Sequence, residues 1–163
     1  MKSYYHNKYD FVLRKGMFME YNFSKIMRRY NHLLGETEAV YHEMSLKLGL
    51  SDSAMIILYT ICDSGTSCLL QDICRKSGLS KQTINSALRK LESQGIVCLE
   101  PAGPKNKNVC LTVNGKILAD QTAGRIIKAE NEIFDSWSGE DVQKYLELME
   151  KFLVALKGKA KEI

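Results

Sequence analysis

The sequence has little proline and no long apolar run. Its only two prolines, Pro101 and Pro104, lie three residues apart, which excludes a collagenous or proline-rich chain. No apolar stretch approaches the roughly 18 residues that a membrane-spanning helix needs, so we expect no membrane partner. The first residues show neither an apolar segment nor a small-residue cleavage site. We therefore expect no signal peptide and a cytoplasmic protein.

Residues that carry catalytic or metal chemistry are also scarce. The chain has three histidines and five cysteines, an odd number without a CxxC pair, so we expect reduced thiols rather than a disulfide framework or a zinc cluster. There is no Gly-rich phosphate loop, no paired-carboxylate motif and no nucleophile with a neighbouring base. We expect no catalytic residues, no metal site, no cofactor and therefore no enzyme.

The 163 residues and 45% hydrophobic content fit one ordinary globular domain. The charge is unevenly distributed. Residues 66–116 carry eight Lys or Arg against three Asp or Glu, whereas residues 31–65 carry one against five. A basic central block beside an acidic segment indicates a local surface that binds a polyanion.

Apolar periodicity predicts helices over most of the first hundred residues. Steps of three and four indicate an amphipathic helix over 22–48, and Gly49 is suited to end it. Ser51 can cap a second helix, which is apolar on nearly every side and should therefore be buried. After Gly65 we expect a minimal strand at 66–68, a two-turn helix at 69–77 and a further helix from Ser80 to Gly95.

The spacing of apolar residues changes from helical to strand-like after Gly95 and becomes helical again from Asn114. Residues 96–100 and 108–112 read as strands on either side of a polar, basic loop, PAGPKNK, which predicts a hairpin. Helical spacing returns from Asn114, and Ser138 with Asp141 marks the start of a final helix. The order is helix, helix, short strand, helix, helix, strand, strand, helix, helix. We therefore expect a mainly α (α+β) fold, with a small hairpin between long flanking helices.

The segment 69–94 has helix-turn-helix spacing, and its second helix carries a polar face without an acidic residue before Glu92. Donors of this kind suit phosphates and base edges. The candidate DNA-binding residues on this helix are Ser80, Lys81, Gln82, Thr83, Asn85, Ser86, Arg89 and Lys90. At the tip of the hairpin, Lys105, Asn106 and Lys107 are placed to contact DNA as a wing does.

These motifs resemble the winged helix-turn-helix of the MarR family of bacterial transcriptional regulators. The similarity covers residues 55–118, in LLQDICRKSGLSKQTINSALRKLESQGIV and PKNKNVCLTVNGK. Leu111, Thr112 and Gly115 match the L-T-xx-G motif that closes the second wing strand. The Asp-x-Arg pair common in family wings falls at Gly103 and Lys105, and the usual cap of the first motif helix falls at Leu69.

The resemblance implies a domain arrangement and a set of partners. Residues 1–21 would form an N-terminal extension, 22–49 and 114–163 a helical dimerisation region, and 50–113 the DNA-binding domain. The expected partners are double-stranded DNA and a second copy of the chain, and the expected action is that of a repressor on a pseudo-palindromic operator. A small aromatic or anionic effector could bind near His32, Tyr41 and His42.

Two alternatives keep the same fold. One is a winged-helix module that contacts other proteins and does not bind DNA. The other is a regulator that senses oxidants through its thiols. A reactive cysteine near the N-terminus, as in peroxide-sensing relatives, has no counterpart here because the first cysteine is Cys62.

Overall fold

The computed structural model describes residues 24–104 and 106–163. The N-terminal extension expected at 1–21 lies outside these ranges. The described chain belongs to two compact units, residues up to 39 and residues 40–163. The helices are α1 (Lys25–Lys47), α2 (Asp52–Asp63), α3 (Leu70–Ser77), α4 (Lys81–Ser93), α5 (Val113–Gln121), α6 (Ala123–Asp135) and α7 (Gly139–Ala160), and the strands are β1 (Ser67–Leu69), β2 (Val97–Pro101) and β3 (Lys107–Leu111).

Helix α2 forms the centre of the core of the second unit. The Ser51 hydroxyl accepts a hydrogen bond from the Ala54 amide at 3.3 Å and so caps the helix, as predicted. Nearly every side of α2 is covered, which confirms the expectation drawn from its apolar composition. Its buried residues are Ala54, Met55, Ile57, Leu58, Thr60 and Ile61.

Three antiparallel strands, in the order β1-β3-β2, lie beside these helices. Both hairpin strands were predicted, and each is displaced by one residue from its expected bounds. Val97, Val109 and Leu111 are buried in the core, whereas the residues that alternate with them lie on the opposite face of the sheet. The hairpin thus has one apolar face that holds it against the helices and one face that the core leaves uncovered.

The junction between β3 and α5 explains the L-T-xx-G motif physically. The Thr112 hydroxyl accepts from the Gly115 amide at 3.0 Å and donates to the Gly95 carbonyl at 2.6 Å. A Cβ atom on Gly115 would lie 1.9 Å from the carbonyl oxygen of Ile96. Thr112 therefore joins α5 to the end of α4, and only glycine allows the chain to approach this closely.

The structure corrects one expectation after the hairpin: three helices follow it, where the periodicity predicted two. The break is at Thr122, whose φ of −125° and ψ of −87° lie outside the helical region. Its hydroxyl donates to the Leu118 carbonyl at 2.6 Å, which provides local bonding in place of a continuous helix. The apolar spacing continues across Thr122, so periodicity alone did not reveal the break.

Helix α7 is the least covered element of the second unit, since it contains no buried residue. The Ser138 hydroxyl accepts from the Asp141 amide at 3.1 Å, which confirms the predicted start of the helix. Phe134, Trp137 and Tyr145 pack edge-to-face or tilted at the corner between α6 and α7, with ring centroids 5.4–6.1 Å apart. Beyond this corner the apolar side chains of α7 are exposed.

Two further properties of residues 24–104 and 106–163 bear on membranes and metals. No single helix there has the length and apolar composition needed to cross a membrane; α1 and α2 meet that test only as a bent pair. No group of three or more His, Cys, Asp or Glu residues in the same part of the chain is arranged to hold a metal ion.

Candidate nucleic-acid interface

Helix α4 begins at a well-formed turn. Gly78 has a φ of +66°, which ends α3 in the left-handed conformation that glycine favours. The Ser80 hydroxyl then accepts from the Thr83 amide at 3.1 Å and lies 2.8 Å from the Thr83 hydroxyl. Of the predicted DNA contacts, Ser80 and Thr83 are thus already engaged with each other, and they set the position at which the helix starts.

One side of α4 packs into the core and the other faces outward. Ile84, Leu88 and Leu91 are buried, which fixes the rotation of the helix about its axis. The predicted residues on the outward side are exposed, except that Asn85 is half-buried. Five of them line one open groove of about 590 Å³: Lys81, Gln82, Asn85, Ser86 and Arg89. The structure therefore brings most of the predicted recognition residues together.

The cations of α4 differ from those of α3 in their partners. On α3, Arg75 pairs with Asp72 at 2.9 Å and Lys76 pairs with Asp63 at 2.7 Å. No described carboxylate forms an ion pair with the cations of α4, which are Lys81, Arg89 and Lys90. This surface combines unneutralised positive charge with amide and hydroxyl donors, a combination that suits a phosphate backbone and base edges.

The hairpin supplies a second set of donors. Its tip is closed by a hydrogen bond from the Ala102 amide to the Asn106 carbonyl at 2.9 Å. Asn106 and Lys107 are exposed there, whereas Lys105 lies outside the described residues. Gly103 has a φ of +105°, a conformation that side-chain-bearing residues rarely adopt. The backbone of this wing therefore favours glycine at the position where family wings commonly have Asp.

A pair of hydrogen bonds that the sequence reasoning missed connects three helices. Tyr41 of α1 and Tyr59 of α2 donate their hydroxyls to opposite oxygens of the Glu130 carboxylate on α6, at 2.5 and 2.6 Å. Burial, followed by the bond to Glu130, raises the pKa of Tyr41 to about 12, and the same causes raise the pKa of Tyr59 further. A signal was present, because Glu130 interrupts the apolar stripe of α6.

The three residues expected near an effector have different surroundings. Tyr41 is engaged with Glu130, whereas its neighbour His42 places Nδ1 2.8 Å from a carboxylate oxygen of Asp52, at the start of α2. His32 is exposed and lies in the first unit. Within the second unit, the structure thus gives Tyr41 and His42 separate partners rather than one common contact.

Comparison with known families identifies the central segment. The MarR family model matches residues 48–104, which run from the end of α1 into the wing. This central segment is similar to the MarR family of transcriptional regulators. The match confirms the resemblance found in the α3–α4 motif and the hairpin, and the members of this family are transcriptional regulators rather than enzymes. A search of curated proteins gave no match.

Solved structures share the MarR fold well beyond that segment. A MarR family regulator from Neisseria meningitidis superimposes with a TM-score of 0.75 at 16% identity, covering 85% of this chain and 99% of the other. MepR of S. aureus, solved in complex with DNA, gives 0.62 at 17% identity, with 83% and 99% covered. 6-Hydroxynicotinic acid regulates DNA binding by BpsR of Bordetella bronchiseptica. The BpsR structure gives a TM-score of 0.57 at 17% identity, covering 76% of this chain and 98% of the other. The mainly helical winged-helix fold is thereby confirmed.

Proposed function

We propose that this protein is a sequence-specific DNA-binding repressor and that the outward face of α4 enters the major groove. The observation that carries the proposal is the groove with Lys81 and Arg89, whose charges no described carboxylate neutralises. An exposed cation without a partner attracts phosphate and releases counterions when it binds. The family match supports DNA, rather than another protein, as the polyanion that binds this face of α4.

The side chains of the groove divide into two chemical roles. Gln82 and Asn85 carry amides that can pair with both polar atoms of an adenine edge, and Arg89 can pair in the same way with guanine. Lys81 and Lys90, together with Asn106, Lys105 and Lys107 of the wing, contribute donors and charges suited to phosphate contacts. The amides and Arg89 would determine which sequence is bound, and the lysines would determine how strongly binding depends on salt.

Helix α7 supports a dimer. Its exposed apolar side chains recur every three or four residues, which forms a continuous stripe: Tyr145, Leu146, Met149, Phe152, Leu153 and Leu156. A stripe of this size on a single protein marks an interaction surface, and we propose a second copy of the chain as its partner. Residues 22–49 and 114–163 then form the dimerisation region, and the two α4 helices read half-sites about one helical turn apart.

The same proposal includes an effector that releases DNA. Tyr41 is partly exposed and joins α1 to α6 through Glu130, so a small aromatic molecule bound beside it would act on helices that flank the winged helix. His42, one residue further along α1, would supply a further polar contact. The relative whose DNA binding 6-hydroxynicotinic acid regulates supports this chemical class. Titrating 6-hydroxynicotinate into the protein–DNA complex tests it, and release in the wild type but not in Tyr41→Phe is expected.

The function is tested by fluorescence anisotropy with the purified protein and the duplex upstream of its own gene. A scrambled duplex of the same composition is the control, and both are titrated across a salt series. We expect tight binding to the first duplex alone and an affinity that falls steeply with salt. Equal and weak binding to both duplexes would contradict the proposal and favour a winged helix that contacts proteins.

A further inference from the structure

Two thiols face each other across the base of the wing. Cys98 of β2 and Cys110 of β3 are directly opposite in the antiparallel register. Backbone hydrogen bonds join residues 96 and 112 on one side of this pair and residues 102 and 106 on the other. Because hydrogen-bonded and non-hydrogen-bonded pairs alternate along an antiparallel ladder, Cys98 and Cys110 form a hydrogen-bonded pair. Their Cα atoms are then about 5.5 Å apart, which is inside the range of about 4.4–6.8 Å found in disulfides.

The Cys98 side chain contacts its cross-strand partner. The Cys98 sulfur lies 3.7 Å from the Cys110 carbonyl oxygen, and burial, followed by the influence of Glu100 and Cys98, raises the pKa of the Cys110 thiol. Both cysteines are half-buried on the sheet face opposite the core, so reagents can reach them. Cys68, by contrast, is buried beneath the sheet. The wing therefore holds a pair of accessible, adjacent thiols in a chain whose other cysteines lack such a pairing in the register.

We propose that Cys98 and Cys110 are an oxidant-sensitive pair that forms a reversible disulfide across the wing and weakens DNA binding. An organic hydroperoxide supplies the oxidising equivalents. The Cys98 thiolate attacks the peroxide, the O–O bond breaks, and an alcohol leaves with a sulfenic acid formed at Cys98. The Cys110 sulfur then attacks the Cys98 sulfur, an S–S bond forms and water leaves. Two thiols and one hydroperoxide thus give one disulfide, one alcohol and one water.

The order of the two steps follows from the surroundings of Cys110. Partial burial, followed by the hydrogen bond to Glu100 and the charge of its carboxylate, raises the pKa of the Cys110 thiol. Because the thiolate is the nucleophile, Cys110 is the poorer first reactant and is assigned the resolving role. Disulfides in reducing compartments are transient and are used for sensing, which agrees with a reversible bond at this position.

Closing the disulfide would change the geometry of the hairpin. Opposite residues in a hydrogen-bonded pair have Cβ atoms about 5.5 Å apart, whereas a disulfide needs about 3.8 Å. The two strands must draw together at this point, three residue pairs from Pro101 and Lys107 at the tip. The approach of the strands displaces the wing from its phosphate contacts and lowers DNA affinity by about fivefold to tenfold. This consequence for DNA binding rests on the proposed function.

The site is tested first by chemistry alone. The full chain is treated with a small excess of cumene hydroperoxide, free thiols are alkylated, and tryptic peptides are mapped without reduction. Cleavage after lysine and arginine places Cys98 in residues 91–105 and Cys110 in residues 108–116, with the other three cysteines in residues 48–75. We expect a cross-link between the first two peptides that dithiothreitol removes and that Cys98→Ser lacks, while Cys62→Ala retains it. No cross-link, or one to another cysteine, overturns the proposal.

The effect on DNA is measured separately with the duplex that the reduced protein binds. Oxidised wild type is expected to bind about fivefold to tenfold more weakly than reduced wild type, and Cys98→Ser is expected to bind equally well under both conditions. Equal affinity of the cross-linked and reduced forms overturns the regulatory role. A reduced protein that binds no duplex refutes the proposed function instead, and the cross-link measurement still decides whether the thiol pair exists.

Discussion

At the scale of single residues, Gly115 shows how a short motif can be a packing requirement. A Cβ atom there would lie 1.9 Å from the Ile96 carbonyl oxygen, which is backbone and cannot rotate away as a flexible side chain can. Thr112 closes the same junction with hydrogen bonds to Gly95 and Gly115. The wing is therefore connected to α5 by contacts that tolerate only small changes.

We predict that Gly115→Ala lowers the free energy of unfolding by about 3 kcal/mol, since the backbone must shift to admit the methyl group. Urea unfolding followed by circular dichroism measures it. Gly158→Ala is the matched control, because this helical glycine has open space around it and alanine should stabilise α7 by about 0.5–1 kcal/mol. Equal effects of the two substitutions would show that the close approach at Gly115 is not needed.

Sequence reasoning at this scale succeeded where a residue acts locally. Ser51 and Ser138 were predicted as helix caps and Ser80 as the start of a helix, and each accepts an amide hydrogen bond as a cap does. It failed for Glu130, because a carboxylate that accepts from two tyrosines of other helices depends on packing between segments some 70 to 90 residues apart in the chain. The spacing of apolar residues within one helix cannot encode a contact between distant segments. The position of Glu130 on the apolar stripe of α6 was the one indication that its carboxylate has a partner.

At the scale of elements, Glu130 links the end of α1, α2 and α6 through Tyr41 and Tyr59. Burial and the bonds to Glu130 raise the pKa of Tyr41 to about 12 and raise that of Tyr59 as well. Both hydroxyls therefore keep their protons in the folded protein at pH values where they ionise in the unfolded chain. The folded state binds more protons above pH 10, so stability falls as the pH rises from about 10 towards 12.

This fall is predicted to be smaller in a Tyr41→Phe, Tyr59→Phe double variant, whose remaining tyrosines lack the bond to Glu130. Urea midpoints of wild type and variant at pH 8, 9, 10 and 11 measure the difference. At pH 8 the variant should be less stable, because Glu130 then loses two donors while it stays half-buried. Parallel pH profiles for the two proteins would contradict the assigned role of the tyrosines.

Most helices and strands were predictable, because their apolar residues are regularly spaced and glycines or capping residues mark the ends of the helices. The ends of α3 and α4 coincide with Gly78 and Gly95, both of which have positive φ angles. The break between α5 and α6 was not predictable in the same way, because no proline and no glycine with a positive φ marks it; Gly124 lies inside α6 with a helical backbone. A backbone distortion at Thr122 with an apolar pattern running through it leaves no trace in the spacing.

At the scale of the whole molecule, the exposed stripe of α7 is the strongest argument for a dimer. Leu153 is 48% exposed and Met149 is 50% exposed, and they belong to a contiguous apolar stripe of the kind that marks an interaction surface. We predict that Leu153→Glu converts a dimer to a monomer, since a carboxylate on the stripe would be buried without a partner in the assembly.

Light scattering coupled to size-exclusion chromatography at micromolar concentration measures the mass. Lys151→Glu is the matched control, because it introduces the same side chain on the same helix away from the stripe and should leave the dimer intact. A wild-type protein that elutes as a monomer, or a Leu153→Glu variant that stays dimeric, would contradict the assignment of α7 as the interface.

The central claim is that the unpaired cations of α4 bind DNA, and Arg89→Glu tests it most directly. Anisotropy with the upstream duplex compares wild type, Arg89→Glu and Lys161→Glu, a control with the same charge change at the end of α7. We predict that Arg89→Glu loses on the order of 1–3 kcal/mol of binding free energy and that Lys161→Glu binds as wild type does. If wild type binds and both variants match it, the outward face of α4 is not the DNA-binding surface.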